Sequence, residues 1–104
     1  IYGAAPRNAG TVMIDGAATP NTIAGSLKKG IFLIPESRKD QGLVLGRPIR
    51  DNVTLSNMGQ VAPRGWVSSG VERRASRSML DRVTVGGDDR RAVSALSGGN
   101  QQKV

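Results

Sequence analysis

Cysteine and histidine are both absent from this chain of 104 residues, and only three residues are aromatic. Without cysteine the chain has neither disulfides nor thiolate ligands, and without histidine it has no imidazole to bind a metal or activate a nucleophile. We therefore expect neither a metal site nor a catalytic triad in this chain.

Long apolar runs are also missing, because hydrophobic residues make up 38% of the sequence and are widely scattered. No run approaches the roughly 20 residues that a membrane-spanning helix needs, and no basic and then apolar signal opens the chain. The length suits one small domain with a marginal core. We expect a cytoplasmic protein.

Positive charge is plentiful, with a net charge of +7 and an isoelectric point near 11.1. Such a balance is typical of nucleic-acid-binding modules, in which arginine and lysine contact phosphates. Single-stranded binders also interleave aromatic residues, whereas Tyr2, Phe32 and Trp66 lie far apart here. We favour a solvated basic face and expect no specific nucleic-acid partner. The alternative is that this face contacts anionic lipid head groups. The arginines of the second half are Arg64, Arg73, Arg74, Arg77, Arg82, Arg90 and Arg91.

A Ser-Gly-Gly turn precedes the last polar stretch of the chain. Ser97 is a suitable N-cap, and the flexible backbone of Gly98 and Gly99 allows close approach of an anion to the positive end of a helix. The pattern predicts either a phosphate site or an ordinary capped helix start.

The longer run from Leu96 to Lys103 resembles the signature motif of ATP-binding-cassette ATPases that energise bacterial import of ribose, galactose and xylose. The run from Ile34 to Val44 resembles the loop that joins the ATP-binding core to the helical subdomain in the second of two tandem cassettes. The stretch from Tyr2 to Gly16 resembles the segment after the first helix of a cassette. The resemblance implies an α/β fold, a partial P-loop NTPase cassette with a few strands and a mainly α-helical subdomain.

The same resemblance divides the chain into three parts. Residues 1–34 would belong to the ATP-binding α/β core, residues 35–47 to a connector like the family's Q-loop, and residues 48–104 to a helical subdomain that ends in the signature motif. The parent protein would be an ATPase coupled to sugar import that binds ATP and Mg²⁺.

In the family, two cassettes face each other, and the signature of one closes over ATP held by the other. The resemblance implies that Ser97 and the amides of Gly98 and Gly99 contact the γ-phosphate in trans. Gln101 would extend this contact. Asn100 stands where most cassettes have glutamine, although the sugar-import branch commonly carries asparagine.

By the same resemblance, Glu36 occupies the position where most cassettes carry the glutamine of the Q-loop. A carboxylate can ligate Mg²⁺ but repels a γ-phosphate when no metal intervenes, so we expect a weak hydrolytic site in this half. The alternative is a loop glutamate paired with Arg38 or Lys39.

Two elements of an ATPase site are missing from the sequence: the Gly-x-x-x-x-Gly-Lys-Ser/Thr loop, or Walker A, and the apolar run that ends in Asp-Glu, or Walker B. We expect an excised fragment that is inactive alone and requires no cofactor, because these elements supply most phosphate and metal contacts. Its expected partners are a facing cassette and a membrane permease, at the inner face of the plasma membrane. The rival is a basic nucleic-acid- or ribosome-binding module of a cassette ATPase without a membrane partner.

Local patterns predict several elements. Thr11 to Gly16 predicts a strand with Val12 and Ile14 on one face, followed by a hairpin turn. The apolar run Ile31 to Ile34 predicts a strand that is buried on both faces. Ser69 and Glu72 have the spacing of a capping box and predict the start of a helix. The residues expected on the buried face of that helix are Val71, Ala75, Met79 and Val83.

Overall fold

Helices dominate the second half of the chain, and the sheet is a two-stranded hairpin near its start. The structure, a computed structural model, describes residues 1–104. They form two units, Ile1–Pro35 and Glu36–Val104. None of the helices has the length and hydrophobicity needed to cross a bilayer.

The first unit holds the hairpin and one short helix. Strands β1 (Met13–Ile14) and β2 (Ala17–Ala18) pair antiparallel. The two turn residues between them, Asp15 and Gly16, have φ values of 50° and 75°, as a two-residue hairpin of type I′ requires. Val12 and Ile14 are half-buried whereas Met13 is exposed, so the predicted strand face and turn are confirmed.

Helix α1 (Ile23–Lys28) follows the hairpin. It begins at Thr22, whose hydroxyl oxygen accepts a hydrogen bond from the Gly25 amide at 3.1 Å. Gly30, with a φ of 74°, follows the end of the helix, because glycine adopts this left-handed conformation without strain.

The predicted buried strand at Ile31 to Ile34 is wrong. These residues belong to no strand, and the exposed fractions of Phe32, Leu33 and Ile34 are 60%, 59% and 91%. A strand needs a neighbour for its N–H and C=O groups, and the two strands of this unit pair only with each other. The apolar run is therefore left uncovered in the unit.

The second unit is helical. A π-helical turn (Arg38–Gly42) opens it, and a short 3₁₀ helix (Val93–Ala95) precedes its last helix. The α-helices are α2 (Ile49–Leu55), α3 (Met58–Val61), α4 (Ser69–Arg82) and α5 (Gly98–Lys103). Helix α2 packs against α4. The buried core of this unit is Ile49, Leu80, Val85 and Val93, with Leu43, Leu45, Val53, Leu96 and Val104 packed around it.

The predicted buried face of α4 is displaced. Ser76 and Leu80 are the buried residues, whereas Met79 and Val83 are 47% and 39% exposed. The position of α2 decides which side of α4 is covered, and this contact cannot be read from the periodicity of α4 alone. The capping box is also absent, since Ser68 is the N-cap and makes no side-chain cap bond.

Candidate functional site

The turn before α5 is a capped helix start. Ser97 has an extended backbone, and its hydroxyl oxygen accepts a long hydrogen bond from the Asn100 amide at 3.4 Å. Its carbonyl accepts from the Gln101 amide at 2.9 Å. These two bonds confirm the N-cap that the sequence predicts at Ser97.

The two glycines after the cap present free amides. Gly98 and Gly99 are both exposed, and neither of their N–H groups is bonded to a backbone acceptor. A Cβ placed on Gly99 would meet nothing within 4 Å. Unpaired first-turn amides carry the positive end of the helix dipole, so the backbone here is open to an anion.

Gly98 differs from Gly99 in having a neighbour. A Cβ placed on Gly98 would lie 3.1 Å from Nη2 of Arg38, a half-buried side chain of the π-helical turn. The Nε of Arg38 is buried and has no hydrogen-bond partner. The chain thus brings a cation from the predicted connector next to the start of α5.

Gln101 faces inward. The residue is 8% exposed, and its Nε2 donates to the carbonyls of Val93 at 3.3 Å and Leu96 at 3.2 Å. These bonds tie the first turns of α5 to the segment that precedes it. Sequence reasoning missed this structural role, because a glutamine in a short polar helix gives no periodic signal.

Residues 45–50, which span the end of the connector and the start of α2, are hydrogen-bonded to the segment that leads into α5. Pro48 and Ala92 form an isolated antiparallel bridge. Four backbone bonds of 2.9 to 3.1 Å join the same two stretches: Ile49 to Arg91, Arg50 to Asp89, Val93 to Arg47 and Ser94 to Leu45, donor first. Backbone hydrogen bonds therefore fix residues 45–50 against residues 89–94, the stretch that leads to the signature-like turn.

The side chain of Asn52 forms hydrogen bonds with the backbone at the end of the connector. Its Oδ1 accepts from the Val44 amide at 2.8 Å, and its Nδ2 donates to the carbonyls of Val44 and Pro48 at 3.2 and 3.1 Å. Sequence analysis placed Asn52 in the helical subdomain without assigning it a role. The sequence signal for this role is an asparagine at the start of a helix, because asparagine side chains form hydrogen bonds with nearby backbone groups.

Glu36 is exposed and forms no ion pair. The ion pairs of the chain join Arg47 to Asp51 and Asp88 to Arg90, at 3.6 and 3.0 Å. The alternative pairing of Glu36 with Arg38 or Lys39 is therefore wrong.

The Asp88–Arg90 pair lies at the start of the segment that leads to α5. The side chain and amide of Arg90 donate hydrogen bonds to the Asp88 carboxylate. These bonds, the side-chain bond first, lower the pKa of Asp88 from 3.8 to about 2.

An open groove of about 320 Å³ lies among α2, α3 and the start of α4, and the apolar side chains of Leu55, Met58 and Val67 line part of it. None of the residues from Ser97 to Gln101 borders this groove, nor does Glu36. No group of three or more acidic side chains is placed to hold a metal ion.

Comparison with known proteins finds relatives along the whole chain. The chain is 40% identical over 106 aligned residues to the ribose import ATP-binding protein of Chromobacterium violaceum, and 36% identical to that of Bacillus licheniformis. It is 38% identical to the arabinose import ATP-binding protein of Rhizobium meliloti. Each match covers 100% of this chain but only 21 or 22% of the relative, so the chain spans about a fifth of their length. No model of a protein family and no solved structure matches it.

Proposed function

We propose that this chain belongs to the family of ATP-binding-cassette ATPases that energise sugar import, and that it is the signature-bearing part of such a protein's second cassette. It lies at the cytoplasmic face of the plasma membrane and works with a facing cassette and a membrane permease. The observation that carries this proposal is the match to sugar-import ATP-binding proteins over the full length of the chain.

The start of α5 is the part that contacts nucleotide. In our proposal Ser97 and the amides of Gly98 and Gly99 bind the γ-phosphate of ATP held by the facing cassette. The exposure of both glycines and their unbonded amides support this role. Asn100 and Gln101 complete the motif, and the inward bonds of Gln101 favour a supporting task for its amide nitrogen.

The uncovered run from Phe32 to Ile34 also favours a place within a larger fold. Three consecutive apolar side chains at 59% exposure or more are unusual for a free surface. A central strand of a doubly covered sheet has this composition. We propose that the run pairs with other strands of the cassette core.

ATP hydrolysis by this chain alone is not part of the proposal. The chain has no phosphate-binding loop, which supplies most of the phosphate contacts in ATPases of this class. Glu36 is exposed at the position of the family's Q-loop glutamine, where it is available to meet Mg²⁺ in the assembled ATPase. No step of the reaction is assigned to it.

The rival function, a basic nucleic-acid- or ribosome-binding module, is not favoured. The relatives are named for the import of ribose and arabinose. The arginines of α4 are exposed, but the exposed Trp66 is the single aromatic residue of the second unit. A stacking surface for bases needs more.

The proposal is tested with the full-length ATP-binding subunit that contains this chain, reconstituted with its permease and sugar-binding protein in vesicles. Ribose and arabinose are the first substrates to try. We expect one of them to be transported only when ATP is present on the side of the ATP-binding subunit. Absence of ATP-driven transport for any sugar, together with salt-dependent retention on RNA, would favour the rival function instead.

A further inference from the structure

We propose that Arg38 is a positioning residue that links the connector to the signature turn, so that the position of Gly98 depends on the position of the connector. This inference rests on the proposed function, since it assigns a task within the same site. It concerns a residue that touches α5 from a different segment of the chain.

Arg38 lies so close to Gly98 that a larger side chain at residue 98 would crowd it. Nη2 of Arg38 occupies the space beside the Cα of Gly98, and a methyl group there would lie only 3.1 Å from it. Gly98 has a negative φ, so the left-handed conformation does not require glycine at this position. A side chain at residue 98 would therefore require the guanidinium of Arg38 to shift by a few tenths of an ångström.

Neutralisation of charge does not explain where Arg38 lies. No carboxylate lies within 4 Å of its guanidinium, and its buried Nε has no partner. A cation beside the positive end of a helix is electrostatically unfavourable. No ion pair and no hydrogen bond of its buried Nε therefore account for its place there, and a buried polar atom without a partner requires an explanation in a folded protein. A positioning task at the signature turn supplies one.

The rest of the second unit makes such a link effective. Backbone hydrogen bonds join residues 45–50 to residues 89–94, and Gln101 ties α5 to the carbonyls of Val93 and Leu96. The backbone of the connector is thus anchored near the base of α5, while Arg38 contacts the beginning of α5. A displacement of the π-helical turn would therefore also move the turn that holds Ser97 and Gly98.

The test uses the full-length ATP-binding subunit with its permease. Arg38→Ala should lower the kcat for ATP by about 10- to 100-fold, the loss that a small misplacement of a reacting group produces. The KM for ATP should change less than about twofold, because the loop that captures nucleotide lies on the facing cassette. Arg38→Lys, which keeps the cation and a long stem, should recover most of the lost kcat. Lys39→Ala removes the adjacent exposed cation and serves as the matched control, with no change expected.

A double-mutant cycle separates positioning from simple loss of charge. In the protein with Arg38, the methyl group of Gly98→Ala crowds Nη2 of Arg38. No such crowding arises when residue 38 is alanine. We therefore expect Gly98→Ala to lower kcat by a smaller factor in the Arg38→Ala background than in the parent. The inference would be overturned if the kcat loss of the double variant equalled the product of the two single-variant losses. Equal kcat losses for Arg38→Ala and Lys39→Ala would also overturn it.

Two outcomes keep this inference distinct from the proposed function. If Gly99→Asp leaves ATP hydrolysis intact, the assignment of the signature motif fails and both fall. If Gly99→Asp abolishes hydrolysis while Arg38→Ala retains the parent kcat, only the role of Arg38 is wrong. Thermal melting of each variant, followed by circular dichroism, shows whether a loss of activity reflects unfolding, and the Arg38→Lys variant then decides the question.

Discussion

Replacing Gln101 by alanine should destabilise the second unit more than its place in a polar, glycine-rich motif would suggest. The side chain is 8% exposed and donates two hydrogen bonds to backbone carbonyls at 3.3 and 3.2 Å. A hydrogen bond of this kind contributes about 1 kcal/mol net, and the abandoned carbonyls of Val93 and Leu96 lose their partner. We therefore expect a loss of about 2 kcal/mol, or about 30-fold in the ratio of folded to unfolded chain.

Thermal unfolding of the chain measures this effect. For a domain of this size 1 kcal/mol corresponds to a Tm shift of about 4–8 °C, so Gln101→Ala should melt about 8–16 °C below the parent. Gln102→Ala is the matched control, because Gln102 is exposed on the same helix and should shift the Tm by only a few degrees. Gln101→Glu keeps the shape but cannot donate at pH 7, so it should be at least as destabilising as alanine. Equal melting of the Gln101→Ala and Gln102→Ala variants would refute the structural role of Gln101.

Three further predictions concern the core, one ion pair and the isolated chain. Leu80→Ala should cost about 3 kcal/mol in chemical unfolding because Leu80 is 2% exposed in the core, whereas Met79→Ala, at 47% exposure, should cost much less. Asp88 should titrate by NMR with a pKa of about 2, and Arg90→Ala should raise it towards 3.8. The stabilisation from this pair is present above the ordinary aspartate pKa and is lost as the pH falls towards 2; a titration unaffected by Arg90→Ala would disprove the pairing. The isolated chain should bind ATP no more tightly than about 1 mM, or roughly 4 kcal/mol, and micromolar binding by calorimetry would contradict this.

Features set by neighbouring residues could be predicted from the sequence. The hairpin at Asp15 and Gly16 follows from the need for two positive φ angles. The N-cap at Ser97 follows from the preference of a serine oxygen for first-turn amides. In both cases the interacting groups lie within three residues of one another, so the pattern contains all the partners.

Features that depend on distant partners could not be predicted. The run from Ile31 to Ile34 has the composition of a buried strand, yet the unit provides no strand beside it. The covered side of α4 is set by α2, which places Ser76 in the interior instead of Met79. Likewise, Arg38 meets Gly98 across sixty residues of chain, and no local pattern connects the two.

The most direct test of the central claim is the effect of Gly99→Asp on the full-length ATP-binding subunit. The position is exposed and a Cβ placed there would meet nothing within 4 Å outside its own helix, so the chain should fold normally, as circular dichroism can verify. In the proposed assembly, however, the carboxylate would face the γ-phosphate held by the other cassette. At about 4 Å and an effective dielectric of 20, a pair of like unit charges costs about 4 kcal/mol, enough to lower the rate by several hundred-fold.

Nucleotide affinity and ATP hydrolysis are therefore measured on the same Gly99→Asp preparation. Our account predicts nearly normal ATP affinity, because the capturing loop lies on the facing cassette, together with almost no hydrolysis and no sugar uptake. Hydrolysis near the parent rate, or loss of nucleotide binding by a folded variant, would contradict the assignment of Ser97 to Gln101 as a signature that acts in trans.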